Sequence, residues 1–402
     1  MTHENRRFGA AWTLEWLTLP PILVSAGARI RLCEKPLSQI RLGTHSQYGN
    51  HTIILVLHRE PLYTVGVRGS MMKVELARAR ALAENGLGAL GYADEERTLI
   101  AGHLLDCELR GLGFSGLARV ISIAERLQAA PEPPRPMAVL RETGVSARID
   151  GGDNLGYLVA ERATDMAIAK AQAAGIAVIG ASDTWYTGML SYYAERIAAA
   201  DLVAMIASNA SPWVAPEGGS EGRYGTNPIC FGFPSADEPV IWDIGTSAII
   251  HAQVVEALRL GKPLPEGLAL DAAGAMTIDP QAALNGAFMP WGGHKGSGLG
   301  LVVQMLGMLA GSPMMPGQLQ DFGFLVIAIK PDLLVDIDMF KRQIADYADS
   351  VRNTRPLGGG AAVRMPFDRS RAERARRLAE GFIEVPSAII AALDDLQKDF
   401  RP

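Results

Sequence analysis

From residue 72 onward the chain alternates between two hydrophobic patterns. In some stretches apolar residues return every three or four positions; in others they crowd into short unbroken runs. Met72, Leu76, Ala79 and Ala83 fall on one face of a helix predicted over residues 72–85, with further helices over 94–111 and 116–129. A proline-rich stretch at 131–136 then breaks the chain. Residues 138–140 and 147–150 read as strands, followed by Gly151-Gly152-Asp153-Asn154 as a turn and helix cap. A strongly amphipathic helix spans 156–174, ends at Gly175, and gives way to a run of branched apolar residues at 176–180, read as a buried strand. Beyond it the pattern predicts helices at 188–200, 247–260, 299–309, 335–353, 369–381 and 387–399. Strands are predicted at 202–207, 241–244 and 323–329. The alternation of the two element types argues an α/β fold.

Residues 1–70 do not share this order. They show no sustained period, carry a net charge of +4 against −9 for the other 332 residues, and hold four of the seven histidines. We read them as an atypical leader, disordered or lying upstream of the true start; an extra small domain and an interaction tail are the other readings. They are expected to pack poorly.

Composition narrows the function. With 48% hydrophobic and 20% charged residues the chain can bury a large core. A net charge of −5 argues against nucleic acid as a main partner, which would need a concentrated basic face. No apolar run reaches the roughly 18–20 residues that span a bilayer. Three cysteines (Cys33, Cys107 and Cys230) form no CxxC pair, which suits a reducing cytoplasm, and no metal site is read.

Three segments carry candidate chemistry. Trp291-Gly292-Gly293-His294-Lys295-Gly296 leads into an apolar helix, where dense glycine and free N–H groups would favour a pyrophosphate or carboxylate. It is neither a P-loop nor a GxGxxG fingerprint, and no strand–GxGxxG–helix unit occurs anywhere in the chain. A tight structural turn with a surface lysine is its plain alternative. Arg223-Tyr224-Gly225-Thr226-Asn227-Pro228 is a second polar loop. Asp243-Ile244-Gly245-Thr246-Ser247 is a third, in which Asp243 either binds a ribose hydroxyl or caps a helix.

Together with Leu109-Arg110-Gly111, Gly116-Leu117-Ala118-Arg119 and the stretch 261–271, these segments resemble the malate/L-lactate dehydrogenase family in order and spacing from about residue 72 to the end. That family also contains ureidoglycolate and sulfolactate dehydrogenases and the piperideine-2-carboxylate and pyrroline-2-carboxylate reductases. The resemblance implies a non-Rossmann, sulfolactate-dehydrogenase-like α/β fold with an inserted cofactor-binding domain. Residues 71–130 would form an N-terminal helical segment, 131–195 and 300–402 the substrate domain, and 196–299 the NAD(P)-binding domain. It also implies a homodimer with the active site near the subunit contact. By carry-over, Ser211, Asp243, Ile244, Gly245, His251, Gly293 and Lys295 would contact NAD or NADP, with His251 leaning towards NADP. Arg119 would hold the substrate carboxylate.

Two stretches depart from the family's pattern. Where Asp-Ser-His-Gly is usual the chain reads Gly113-Phe114-Ser115-Gly116, and aligning Gly188 with Tyr192-Tyr193 places Tyr186 at the catalytic histidine position. His103, in an apolar helix, is read as structural. Hydride delivery to a 2-oxo acid leaves an alkoxide, for which imidazole is a better proton donor than an ordinary phenol. Tyr186 can serve if a neighbouring cation such as Arg119 or Lys295 supports it, with Ser115 beside it. An iminium substrate would need that acid less. The chain is therefore expected to be an NAD(P)H-dependent oxidoreductase of a small 2-oxo or 2-hydroxy acid. A cyclic 2-imino acid reductase and a non-catalytic cofactor-binding paralogue are the alternatives.

Overall fold

The computed structural model describes residues 70–130 and 132–398, so the expectations for residues 1–69 lie outside the described residues. In chain order they form β1 (Met71–Glu75), α1 (Leu76–Ala89), α2 (Asp94–Leu109), a 3-10 turn (Gly113–Ser115) and α3 (Ala118–Ala129). Next come β2 (Ala138–Glu142), β3 (Ser146–Leu155), α4 (Gly156–Ala174), β4 (Ile176–Trp185), α5 (Leu190–Ala199) and β5 (Val203–Ser208). They are followed by β6 (Ile229–Phe233), β7 (Val240–Ile244), α6 (His251–Arg259), β8 (Ala269–Leu270), α7 (Pro280–Asn285) and β9 (Ala287–Phe288). The last elements are α8 (His294–Leu309), β10 (Phe322–Ile329), α9 (Ile337–Arg352), α10 (Asp368–Glu380), β11 (Phe382–Pro386) and α11 (Ser387–Lys398).

The fold is mixed α/β, built on a seven-stranded sheet in the order β2-β3-β4-β10-β5-β6-β7. Only β3 and β4 run parallel, because α4 alone returns the chain as a crossover between adjacent strands. Every other neighbouring pair in this sheet is antiparallel. Apolar residues on β4, β5 and β10, among them Ala181, Ile206 and Phe324, are fully buried against α4 and α5. A second core gathers α1, α2, α3 and α11 around Leu82, Leu104, Ile123 and Leu393. No helix among the described residues is long and apolar enough to cross a membrane.

Four local expectations are corrected. Residues 71–75 are not the first turn of a helix: they pair antiparallel with β11, and α1 starts only at Leu76. Tertiary pairing overrides a helical period that Met72 happened to extend. Gly151–Asn154 is not a helix cap but an irregularity inside β3, where the register to β4 shifts and Gly152 (φ 62°) and Asp153 (φ 59°) take left-handed conformations. The strand begun at Ile176 does not stop at 180 but continues to Trp185. The glycine segment precedes its helix only as far as Gly293, since α8 begins at His294, five residues before the apolar run at Leu299. Its glycines let the helix pack closely on protein. A Cβ on Gly300 would press into the Tyr224 ring, and one on Gly307 into the Asn209 side chain.

Candidate active site

A cavity of about 380 Å³ opens between the 3-10 turn with α3, the end of β4, the ends of β5 and β7, and the starts of α6 and α10. Ser115, Arg119 and Tyr186 line one part of it; Asp243, Gly245 and His251 line another. Six of the ten residues singled out by sequence therefore share one continuous space. Ile244 adjoins that wall without forming it, and Ser211, Gly293 and Lys295 stand outside it.

Arg119 enters the cavity from the first turn of α3 and is only 8% exposed. Two other buried arginines nearby have carboxylates at hand: Arg110 meets Asp106 and Arg126 meets Asp153, both at 2.6 Å. Among the described residues no carboxylate pairs with Arg119, and its Nε has no hydrogen-bond partner. Burying a guanidinium without a counter-charge is costly, so the arrangement suits an anion brought by a ligand. The Tyr186 ring lies beneath it, with the guanidinium carbon 4.2 Å from the ring centroid. Tyr186 follows the last residue of β4 and has φ 53°, a left-handed conformation that costs an aromatic residue energy and turns its side chain off the strand's regular alternation. The ring also meets Trp185 edge-on, with centroids 5.4 Å apart. Tyr157, from the first turn of α4, closes the same side; burial pushes its phenol well up, while the neighbouring Arg119 pulls it down.

The floor is tied together by hydrogen bonds. The Thr187 hydroxyl donates to the Ser208 hydroxyl at 2.9 Å, and the buried Tyr193 hydroxyl donates to the Thr187 carbonyl at 2.9 Å. His103 is fully buried and accepts from the Met189 amide through Nε2 at 2.9 Å. Burial pulls its imidazole down to about 3, so it is neutral and structural, as its apolar helix suggested.

On the opposite wall, Asp243 at the end of β7 accepts from the Ser191 amide at 2.8 Å. It thus caps α5, not the helix that follows it in sequence. Burial pushes its carboxyl up, opposed by these amide hydrogen bonds. His251 opens α6 and stacks on Trp213, centroids 4.0 Å apart at 15°. Burial, with help from Arg119 and Arg259, pulls its imidazole down to about 3. A neutral ring offers a flat surface and a hydrogen bond but no charge. A carboxylate, the backbone around Gly245 and a flat aromatic pair, all in the same space as Arg119, fit a nicotinamide nucleotide beside a small carboxylate.

Of the residues outside the wall, Ser211 is engaged elsewhere and Gly293 and Lys295 lie at the start of α8. The Ser211 hydroxyl donates to the Gly317 carbonyl at 2.7 Å and accepts from the Leu319 amide at 3.0 Å. Gly293 caps α8 beside Glu217, and Lys295 projects from the helix's first turn, exposed. Asp183 lies in β4, outside the cavity wall, and pairs with Arg135 at 2.6 Å. In the polar loop at 223–228, Thr226 and Pro228 line the cavity, while Asn227 is spent on structure. Asn227 accepts from the Ala210 amide and donates to the Gly300 carbonyl and Gln304 side chain. Sequence reading missed Tyr157, Trp213, Phe322 and Arg369, all on the cavity wall. Arg369 belongs to a helix dense in arginine, where no single arginine stands out by residue type.

Similarity searches agree with this geometry. Residues 74–394 match the family model described as malate/L-lactate dehydrogenase. The chain is 32% identical over 332 residues to the malate/(S)-sulfolactate dehydrogenase of Methanothermus fervidus, covering 80% of this chain and 96% of that one. It is 31% identical over 319 residues to the Delta(1)-pyrroline-2-carboxylate/Delta(1)-piperideine-2-carboxylate reductase of Pseudomonas syringae pv. tomato, covering 76% and 91%. The crystal structure of a dehydrogenase from Sinorhizobium meliloti superposes with a TM-score of 0.76 at 32% identity, over 82% of this chain and 99% of that one. With its match spanning all but a few of the described residues, the chain belongs to the malate/L-lactate dehydrogenase family.

Proposed function

We propose that the protein is an NAD(P)H-dependent oxidoreductase that interconverts a small 2-oxo acid and its 2-hydroxy acid. The observation that carries the reading is Arg119, a buried guanidinium on the cavity wall with no carboxylate of its own among the described residues. A planar fork binds a carboxylate through two parallel hydrogen bonds, and the Tyr186 ring holds that fork's face. Tyr186 then gives its phenolic proton to the C2 oxygen as negative charge develops there, with Ser115 as a second hydrogen-bond donor. The dinucleotide, when bound, supplies the hydride. Asp243, Gly245 and the face of His251 would hold its nicotinamide half, with Ile244 and Ser211 behind them. Gly293 and Lys295 would meet its phosphates beyond the cavity. NADP and NAD both remain compatible with a neutral His251.

In this organisation residues 196–299 form the inserted cofactor-holding part, and 131–195 with 300–402 the substrate part. Residues 71–130 bring the Arg119 wall. A homodimer is supported by α8, whose outer face exposes Leu301, Val302, Met305, Met308 and Leu309. The buried free thiols Cys107 and Cys230 suit a reducing, cytoplasmic setting.

A second reading, reduction of a cyclic 2-imino acid, is favoured by one feature. Neither Ser115 nor Tyr186 is an imidazole, and an iminium that arrives charged asks less of a proton donor. NADH and NADPH oxidation with pyruvate, 2-oxo diacids and piperideine-2-carboxylate separates the two. No turnover with any of them, alongside tight NADPH binding, would leave a cofactor-binding protein without catalysis and overturn both.

A further inference from the structure

Directly beneath the wall that carries Ser115 and Arg119 lies Glu108, near the end of α2 and only 3% exposed. Its Oε1 accepts from the Leu117 amide at 2.8 Å, at the joint between the 3-10 turn and α3. The turn is wrapped around this carboxylate. A Cβ on Gly116 would overlap Oε1, and one on Gly113 would come within 3.5 Å of Oε2. The wall is thus spaced on a buried acid where an apolar side chain would be the ordinary choice. Two charged groups face it from neighbouring helices. Arg377 of α10 donates to the Glu108 carbonyl at 2.6 Å, and Glu256 of α6 opposes it with like charge. On its own helix the neighbour is the Cys107 thiol, which burial holds protonated.

We infer that Glu108 is a positioning residue for this wall: through the Leu117 amide its carboxylate sets where Ser115 and Arg119 stand in the cavity. Burial pushes the Glu108 carboxyl up to about 7; the Leu117 amide and Arg377 pull it down, and Glu256 pushes it up. An ionised carboxylate grips an amide more strongly than a protonated one. As pH falls through about 7, the grip on Leu117 loosens and substrate capture weakens, while kcat changes less. Only the kinetic consequence rests on the proposed 2-oxo or 2-imino acid reading.

The test is Glu108→Gln, which keeps shape and an acceptor oxygen but cannot titrate, read two ways between pH 6 and 8. Hydrogen exchange at the Leu117 amide, corrected for intrinsic rate, reports the hydrogen bond whatever the substrate. Steady-state kinetics with the best substrate acid report KM and kcat separately. In the wild-type chain, protection of Leu117 should fall and KM should rise several-fold on going from pH 8 to 6. Both courses should flatten in Glu108→Gln, with KM moving more than kcat. Flat protection of Leu117 in the wild type overturns the inference, as does a KM profile that Glu108→Gln leaves intact. If no acid is turned over, the functional reading fails, and Leu117 exchange still decides the role of Glu108.

Discussion

Arg119 stands over Tyr186, its guanidinium carbon 4.2 Å from the ring centroid, so the residue proposed to bind the carboxylate and the residue proposed to donate the proton are in direct contact. The cation sits over the face of the ring, not at its hydroxyl. The hydroxyl therefore stays available to a substrate atom while the face keeps the guanidinium plane fixed.

Arg119→Lys should therefore lose more than hydrogen bonds. A lysine keeps the charge but has neither the fork nor the flat surface. Steady-state kinetics should show kcat/KM lower by about 2–5 kcal/mol, or roughly thirty-fold or more, mostly through KM. Arg119→Met should abolish turnover without lowering Tm, because it removes a buried charge that lacks a counter-ion among the described residues. A Tm well below wild type would mean that Arg119 supports the fold instead.

Tyr186→Phe keeps the ring under Arg119 and removes only the hydroxyl. With a 2-oxo acid, kcat should fall by about 10²–10⁴, the usual value of a positioned proton donor. With a cyclic imine the loss should be much smaller. An unchanged kcat with a 2-oxo acid across pH 6–9 would take Tyr186 out of the mechanism.

Arg369 is the second guanidinium on the cavity wall, and it lies at the open, exposed end. A substrate with a second anionic group would reach it. Arg369→Ala should lower kcat/KM for 2-oxo diacids by about threefold to tenfold, the range of a partly screened charge pair, and leave pyruvate nearly unaffected. Equal losses for both substrates would argue against any contact with the substrate's far end.

His103 gives a pH signature in stability. Its folded value of about 3 lies below the 6.5 of a free imidazole. Above pH 6.5 both states are neutral and stability is complete; below it the unfolded chain takes up a proton that the folded chain refuses. Stability is lost progressively from pH 6.5 towards 3, by up to about 1.4 kcal/mol per pH unit. Urea unfolding at pH 7.5 and 5.0 should show wild type losing about 2 kcal/mol more than His103→Gln over that interval. An identical loss in the variant would show that the imidazole is protonated in the fold.

The sequence carried the helices, the central strands and half of the site, because those depend on local period or on an uncommon residue type in a marked place. The family resemblance singled out Arg119 and Tyr186, a strand end marked Asp243, and the cavity brings the three together. What it did not carry depends on distant partners. β1 is a strand only because β11 lies beside it, and Asp183 is an ion-pair residue only because Arg135 reaches it. The glycines of α8 looked like a ligand cradle because glycine signals close approach without saying to what. Here Gly300 and Gly307 approach Tyr224 and Asn209. Arg369 gave no signal, since one arginine among many on an exposed helix looks like its neighbours.

The place of β10 in the sheet has a consequence for synthesis. It lies between β4 and β5, pairing Phe324 with Ala181 on one side and Ser208 on the other. The strands whose ends shape the cavity floor therefore have no direct bond to each other, and both wait for a segment made more than a hundred residues later. Until residues 322–329 leave the ribosome, β4 and β5 expose bare inner edges rich in alanine and isoleucine. Such edges are apt to pair with other chains. The nascent protein should lean on chaperones late in elongation, and a fragment ending before Phe322 should aggregate instead of forming a smaller enzyme.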